Sequence, residues 1–325
     1  MLSRLDVEYF KNLAKTSKVL NPFYRLAAQS FIDFRFPKHL FIETTSICNL
    51  RCITCDREPD KNKNGHMDFR LFQKIVNEAS TYGPRSFCLH LFGEPLLHPQ
   101  IVDMVKYIKS VNSRHSILLT TNGLLLSKKM FRDLAAAKLD RISVSVLATN
   151  KETYHKITGS KRYDLLESNL LSLPEIRKNE FPHGTRVYLR YLVGNETKDE
   201  LKSFIDKWEG TGLKLEIRPR HNLGGKYKGT NIPSEVFKNR WPCYHVWFAP
   251  GIAFNGDFTV CCNDPRHEAV IGNVNESTVA ELWKGEKMNR IRQFHKSARY
   301  DKISICKNCD VWSIYPDIFF KFQKR

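Results

Sequence analysis

The chain has 325 residues, 42% hydrophobic and 26% charged, which suits a soluble globular protein of one large domain plus a smaller one. No apolar run approaches the roughly 18 residues of a membrane-spanning helix, so none is expected. The formal charge of +18 suits nucleic acid, an anionic membrane or a phosphorylated substrate, but the basic residues are dispersed. No nucleic-acid-binding pattern accompanies them, so nucleic acid is not expected as a partner. The start, Met-Leu-Ser-Arg-Leu-Asp-Val-Glu, lacks the basic region and apolar core of a signal peptide, which predicts a cytoplasmic protein. There the nine cysteines serve as metal ligands or buried thiols rather than disulfides.

Residues 1–37 carry apolar positions such as Val7, Phe10, Leu13, Phe23 and Phe31 at helical spacing among Lys and Arg. They read as a helical extension packed on the core, or as a basic amphipathic segment in peripheral contact with a membrane. The C-terminal Ile314–Arg325 has similar character. From residue 38 to 225, short apolar runs at 40–44, 86–91, 116–120, 140–146, 185–193 and 213–219 predict strands. Helical patterns near 68–80, 99–110, 127–137, 150–179 and 196–208 separate them. Six strand–helix repeats imply an α/β fold with a parallel sheet and right-handed crossovers. A polar linker from Arg218 to about Asn239 leads into a second unit within 226–325. Gly251–Val260 reads as a hairpin turning at Asn255-Gly256, closed by Cys261-Cys262, and a helix follows over Ser277–Ala298.

Three cysteines, Cys48, Cys52 and Cys55, follow the first strand in the spacing C-x3-C-x2-C. A structural zinc site wants four ligands, and no fourth Cys or His stands close behind. Three thiolates on a 4Fe–4S cluster leave one iron open to a substrate or cosubstrate. Gly93-Glu94-Pro95 follows the second run, and Thr120-Thr121-Asn122-Gly123 ends the third. The cysteine run resembles the cluster-binding motif of the radical S-adenosylmethionine (SAM) enzymes, and Gly93-Glu94-Pro95 resembles that family's GGE motif, with Phe92 in place of the first Gly. Thr54 stands where many members carry an aromatic residue. The likeness covers roughly Leu40 to Arg220 and implies a partial (β/α)6 barrel with its chemistry at the C-terminal strand ends.

Cys243, Cys261, Cys306 and Cys309 come from three further segments and can converge on one metal centre, zinc or iron–sulfur. On an extended strand Cys261 and Cys262 point to opposite faces, so only one of them is expected to ligate. The pattern resembles the SPASM domain that extends many radical SAM enzymes, in its shortened twitch form. That likeness implies an auxiliary 4Fe–4S cluster on these four cysteines, Cys261 taking the ligand position and Cys262 left in the core or near the substrate. Cys88 reads as buried packing.

The resemblance implies that SAM binds the open iron, that Glu94 holds its ammonium, and that reductive cleavage yields a 5′-deoxyadenosyl radical. Gly93, Pro95 and Asn122 belong to the same motifs; Ser143, Ser145 and Arg190 are candidate contacts to the SAM ribose or carboxylate. Arg218, Arg220 and His221 are candidates for the base or charged partner that deprotonating a substrate hydroxyl requires, and Cys262 for hydrogen return. A twitch domain with one auxiliary cluster resembles aminoglycoside- and cyclitol-type enzymes that oxidise a secondary alcohol, with the auxiliary cluster accepting an electron. The substrate is then a sugar, a cyclitol, or a phosphorylated or lipid-linked small molecule, and a low-potential donor such as flavodoxin or ferredoxin supplies electrons. Radical epimerisation and ribosomal-peptide modification are the alternatives; a non-enzymatic iron–sulfur electron carrier would not require Gly93-Glu94-Pro95.

Overall fold

In the computed structural model, residues 32–57, 64–225 and 240–314 are described. The helices expected over 1–37 therefore lie outside the described residues as far as residue 31, as do most of the linker and the C-terminal segment from residue 315. Residues 32–37 are irregular, with Phe36 buried.

Six parallel strands pair in chain order: β1 (His39–Ile42), β2 (Ser86–Cys88), β3 (Ser116–Thr121), β4 (Arg141–Val146), β5 (Arg186–Val193) and β6 (Lys214–Pro219). The crossovers carry α1 (Phe69–Thr81), α2 (Ile101–Val111), α3 (Lys128–Ala136), α4 (Lys151–Thr158), α5 (Tyr163–Leu171), α6 (Leu173–Asn179) and α7 (Leu201–Trp208). Helix starts follow local chemistry: the side chains of Asp68, Ser127 and Asn150 accept backbone N–H groups of α1, α3 and α4. The single helix expected over 150–179 is three. Gly159, in the left-handed region at φ 71°, closes α4, and Pro174 opens α6.

The strands alternate rather than running apolar throughout. Ile42, Phe87, Ile117, Leu119, Ile142, Val144, Val187 and Leu189 are buried in the hydrophobic core. Phe41, Leu118, Arg141, Ser145, Arg190 and Arg218 share the opposite parity and line an interior cavity. Polar residues on that face line a cavity where a filled apolar core would otherwise sit.

The second unit continues the same sheet. β7 (Gly251–Ile252) pairs parallel with β1, and β8 (Asp257–Thr259) and β9 (Val270–Asn273) follow antiparallel, giving nine strands in the order β6-β5-β4-β3-β2-β1-β7-β8-β9. The Glu43 N–H donates to the Ile252 carbonyl at 2.8 Å across that junction. β9 escapes a sequence reading because it has four residues and contains Gly272, where a Cβ would lie 2.3 Å from Leu282 Cδ2. The short helix α8 (His245–Phe248) precedes β7. The helix expected over 277–298 breaks at Gly285 into α9 (Val279–Lys284) and α10 (Glu286–Lys296); α11 (Ser304–Lys307) follows. Among the described residues no helix is long and apolar enough to cross a membrane.

Candidate active site

The cysteine loop leaves β1 and is braced from two sides. Arg51 and Ile53 donate backbone N–H groups to Thr158 and Ile157 at the end of α4, at 3.2 and 2.9 Å, and the Cys55 N–H closes a turn on the Cys52 carbonyl at 3.0 Å. The three thiols, with Leu50, Arg51, Arg57 and Phe92, line a cavity of about 360 Å³. Burial pushes all three thiols up, Cys52 to about 12, with the neighbouring Cys55 and Cys48 adding to the rise at Cys52. Buried thiols that repel one another's negative charge suit a cationic metal centre, and the donor set and open lining fit a cluster held by three sulfurs.

Gly93 lies against the backbone of β1's exit. A Cβ there would be 1.8 Å from the Thr45 carbonyl oxygen, so only glycine fits. Pro95 then opens a 3-10 turn, Pro95–Leu97, with Glu94 as its cap. The buried Glu94 carboxylate accepts from Thr121 Oγ1 at 2.6 Å, Asn122 N at 2.7 Å and Leu96 N at 3.1 Å. Burial raises its pKa to about 7 despite those bonds. Asn122 Nδ2 donates to Asn49 Oδ1 at 2.7 Å and lies 4.0 Å from Cys48 Sγ. The second and third motifs thus clasp each other and the first cysteine.

Behind Phe92, which borders both spaces, lies the interior cavity, also about 360 Å³. It brings together Ser145, Arg190, Arg218, His221 and Cys262. Ser143 and Arg220 do not join them. Ser143 is fully buried beneath the lining, where its Oγ accepts from Arg141 Nη2 at 3.3 Å. Arg220 stands beyond the end of β6; its guanidinium turns to Glu196 and packs on Gly194. Sequence reasoning missed Arg141, His90 and His245, which also line the cavity. Arg141 was detectable, since it precedes Ser143 and Ser145 at the same parity on β4.

Arg190, Arg141 and Arg218 converge on one carboxylate, Glu216, at 2.8, 2.9 and 2.7 Å. Burial works against the Glu216 charge, but the three guanidiniums win and hold its pKa at about 2. His90, His221 and His245 are held neutral, burial and nearby positive charges lowering them to about 3, 4 and 3.

On the cavity's far side stand Cys262 and Asn263. β8 ends at Thr259, so Cys261 and Cys262 follow the strand in a turn, and the strict alternation expected for them does not apply. Their sulfurs and a ring nitrogen of His245 lie within 4.8 Å of one another, with Cys262 Sγ 3.5 Å from His245 Nδ1. Cys261, Cys309 and Cys306 lie close enough to the buried Cys243 that each raises its thiol further above the level burial sets. Cys261 Sγ accepts the Asn263 N–H at 3.3 Å. All nine cysteines are free. Four cysteine sulfurs in mutual electrostatic contact, two of them on buried residues, fit a second metal centre. Cys88 is buried within β2, as expected.

A profile of the Radical SAM superfamily matches residues 42–207, and one of an iron-sulfur cluster-binding domain, SPASM, matches residues 243–310. The tungsten-containing aldehyde ferredoxin oxidoreductase cofactor-modifying protein of Pyrococcus furiosus is 36% identical, over 83% of this chain and 87% of its own length. A probable GTP 3′,8-cyclase of Saccharolobus islandicus is 29% identical over 55% of this chain, which spans 57% of the cyclase. Among solved structures, BtrN in complex with AdoMet and 2-DOIA has a TM-score of 0.57 at 19% identity, covering 87% of this chain and 97% of BtrN. Streptococcus suis SuiB bound to precursor peptide SuiA has a TM-score of 0.66 at 16% identity, covering 91% of this chain and 75% of SuiB. Both structural likenesses are of fold. The chain belongs to the radical SAM superfamily, an enzyme with a SPASM-type C-terminal segment whose cofactors are SAM, a SAM-binding 4Fe–4S cluster and auxiliary iron–sulfur.

Proposed function

We propose that this protein oxidises a secondary alcohol of a small molecule, of sugar or cyclitol size, held in the interior cavity. One observation carries the reading: the cavity is bounded by Phe92, shared with the Cys48–Cys52–Cys55 space, and by Cys262-Asn263, next to the Cys261 group. When bound, SAM and the two clusters supply a hydrogen-abstracting radical and an acceptor for the second electron. In this reading Cys48, Cys52 and Cys55 hold the first cluster, Cys243, Cys261, Cys306 and Cys309 the auxiliary one, and Glu94 the SAM ammonium. Gly93, Pro95 and Asn122 shape the SAM site, and Ser145 and Arg190 are its further candidate contacts. His221 takes the hydroxyl proton: its imidazole is neutral, and its buried Nδ1 makes no hydrogen bond among the described residues. Arg218 lines the same cavity and stabilises the oxygen as it loses that proton. The volume lies at the small end of ligand sites, which suits a monosaccharide-sized molecule better than a peptide. The Pyrococcus relative named for modifying a cofactor supports a small-molecule substrate in the same direction.

Cys262 favours a second reading. Its sulfur faces the cavity and can return a hydrogen atom to carbon, which would make the enzyme an epimerase. Anaerobically reduced protein given SAM should release 5′-deoxyadenosine, and the substrate's product should be about two mass units lighter under oxidation. Unchanged product mass, with solvent deuterium on carbon that disappears in Cys262→Ala, would establish epimerisation instead. A ferredoxin or flavodoxin is the proposed physiological electron donor.

A further inference from the structure

We propose that the substrate carries an oxyanion, a phosphate ester or a carboxylate, and that Arg141, Arg190 and Arg218 form its docking site. The inference rests on the reading of the interior cavity as the substrate site and names the class of molecule it takes. Three guanidiniums share the carboxylate of Glu216, at 2.9, 2.8 and 2.7 Å, so among the described residues the group carries two more positive charges than negative. All three arginines line the cavity, and among the described residues no lining residue is acidic.

A purely structural role for the cluster explains one pair, not three. One Arg–Glu pair would brace neighbouring strands at lower electrostatic cost, since unpaired charge out of water is destabilising. The side chains of Arg141 and Arg190 are 25% and 17% exposed, and the buried Arg141 Nε makes no hydrogen bond among the described residues. Arg141 is held rigidly, its guanidinium 3.7 Å above the centre of the Tyr188 ring. Planar forks fixed in this way match the two-oxygen edge of a phosphate or carboxylate. The same field repels an ammonium group, so an amino-substituted sugar or cyclitol is a poor substrate unless it also carries an acid. The carboxylate of SAM does not account for the cluster. If Arg190 engages that carboxylate, Arg141 and Arg218 still face the cavity.

The test is calorimetric titration of the anaerobically reconstituted holoenzyme, saturated with SAM, with inorganic phosphate, pyrophosphate and succinate in parallel. At least one should bind at one site per chain and weaken at least about tenfold in Arg141→Gln and in Arg218→Gln. Iron content and the visible cluster absorption of each variant check that the fold survives. Should a variant not assemble, the wild-type salt dependence decides: affinity should fall steeply as sodium chloride is raised. Phosphate or pyrophosphate binding without succinate binding identifies a phosphate ester, and the reverse a carboxylate. Absence of binding by all three anions, affinity unchanged in both variants, or salt-independent binding would overturn the proposal. Formation of 5′-deoxyadenosine by the same wild-type preparation separates this failure from failure of the radical reading, since it reports SAM cleavage without any added anion.

Discussion

Glu94 illustrates how far a single residue can be read. Its place in a Gly-Glu-Pro motif after the second strand makes it a candidate, but its three hydrogen bonds to Thr121, Asn122 and Leu96 are visible only in the folded chain. An ammonium is bound by the ionised carboxylate, and burial raises the Glu94 pKa to about 7. SAM affinity should therefore increase from pH 6 to pH 8, approaching tenfold per unit below the pKa. Glu94→Gln should bind SAM more weakly by about 1.5–3 kcal/mol and lose that pH dependence. Equilibrium dialysis with labelled SAM across this pH range checks both outcomes. For the apoprotein the linkage runs the other way. Burial also raises Glu43 to about 7, so these two carboxyls stabilise the fold below their ordinary pKa of 4.5, and that stability is lost as pH rises through 7. Gly93→Ala places a Cβ 1.8 Å from a backbone carbonyl and should cost at least about 3 kcal/mol, visible as a lowered urea midpoint or loss of soluble protein.

At the scale of elements, the seam between the barrel and the C-terminal segment is held by specific caps. Glu78 on α1 accepts the Val279 and Ala280 N–H groups of α9 at 2.9 and 2.8 Å, next to the local capping box of Thr278 and Glu281. Lys74, one turn earlier on α1, donates to the Val274 carbonyl at 2.5 Å. Glu78→Ala should destabilise the apoprotein by about 1–2 kcal/mol in urea denaturation, because it removes a charged acceptor from a helix N-terminus. A variant as stable as the wild type would show that packing alone holds α9. The positions of the six barrel strands were legible in the sequence, because each depends on neighbours within a few positions. The splitting of 150–179 was less so: Gly159 and Pro174 are visible as breakers, but whether a breaker kinks or ends a helix depends on what packs around it.

For the whole molecule, the nine-stranded sheet makes the C-terminal segment part of the barrel's edge. A chain ending at residue 225 would leave β1 unpaired where β7 now covers it, so it should aggregate or express insolubly; a soluble monomer by gel filtration would contradict the continuity of the sheet. Anaerobic reconstitution should place about eight iron atoms on the full chain and about four on a Cys306→Ala, Cys309→Ala variant that still cleaves SAM. Stoichiometric zinc with four irons on the wild type would instead assign zinc to the second group.

What the sequence determined by itself was the family, the order of the six barrel strands, and the placing of three motifs at the ends of β1, β2 and β3. Cysteine spacing and strand parity are local, and local rules survive without coordinates. The tertiary structure alone decided which side chains meet. Register across the crossovers sets Ser145 beside Arg190 and Arg190 beside Glu216, so three arginines from three strands share one carboxylate. It also turned Arg220 away to Glu196 while Arg218 kept the cavity, and it seated β7 on β1. Parity along a strand tells which face a residue takes. Pairing between strands tells what stands next to it, and that depends on the packing of the helices between them.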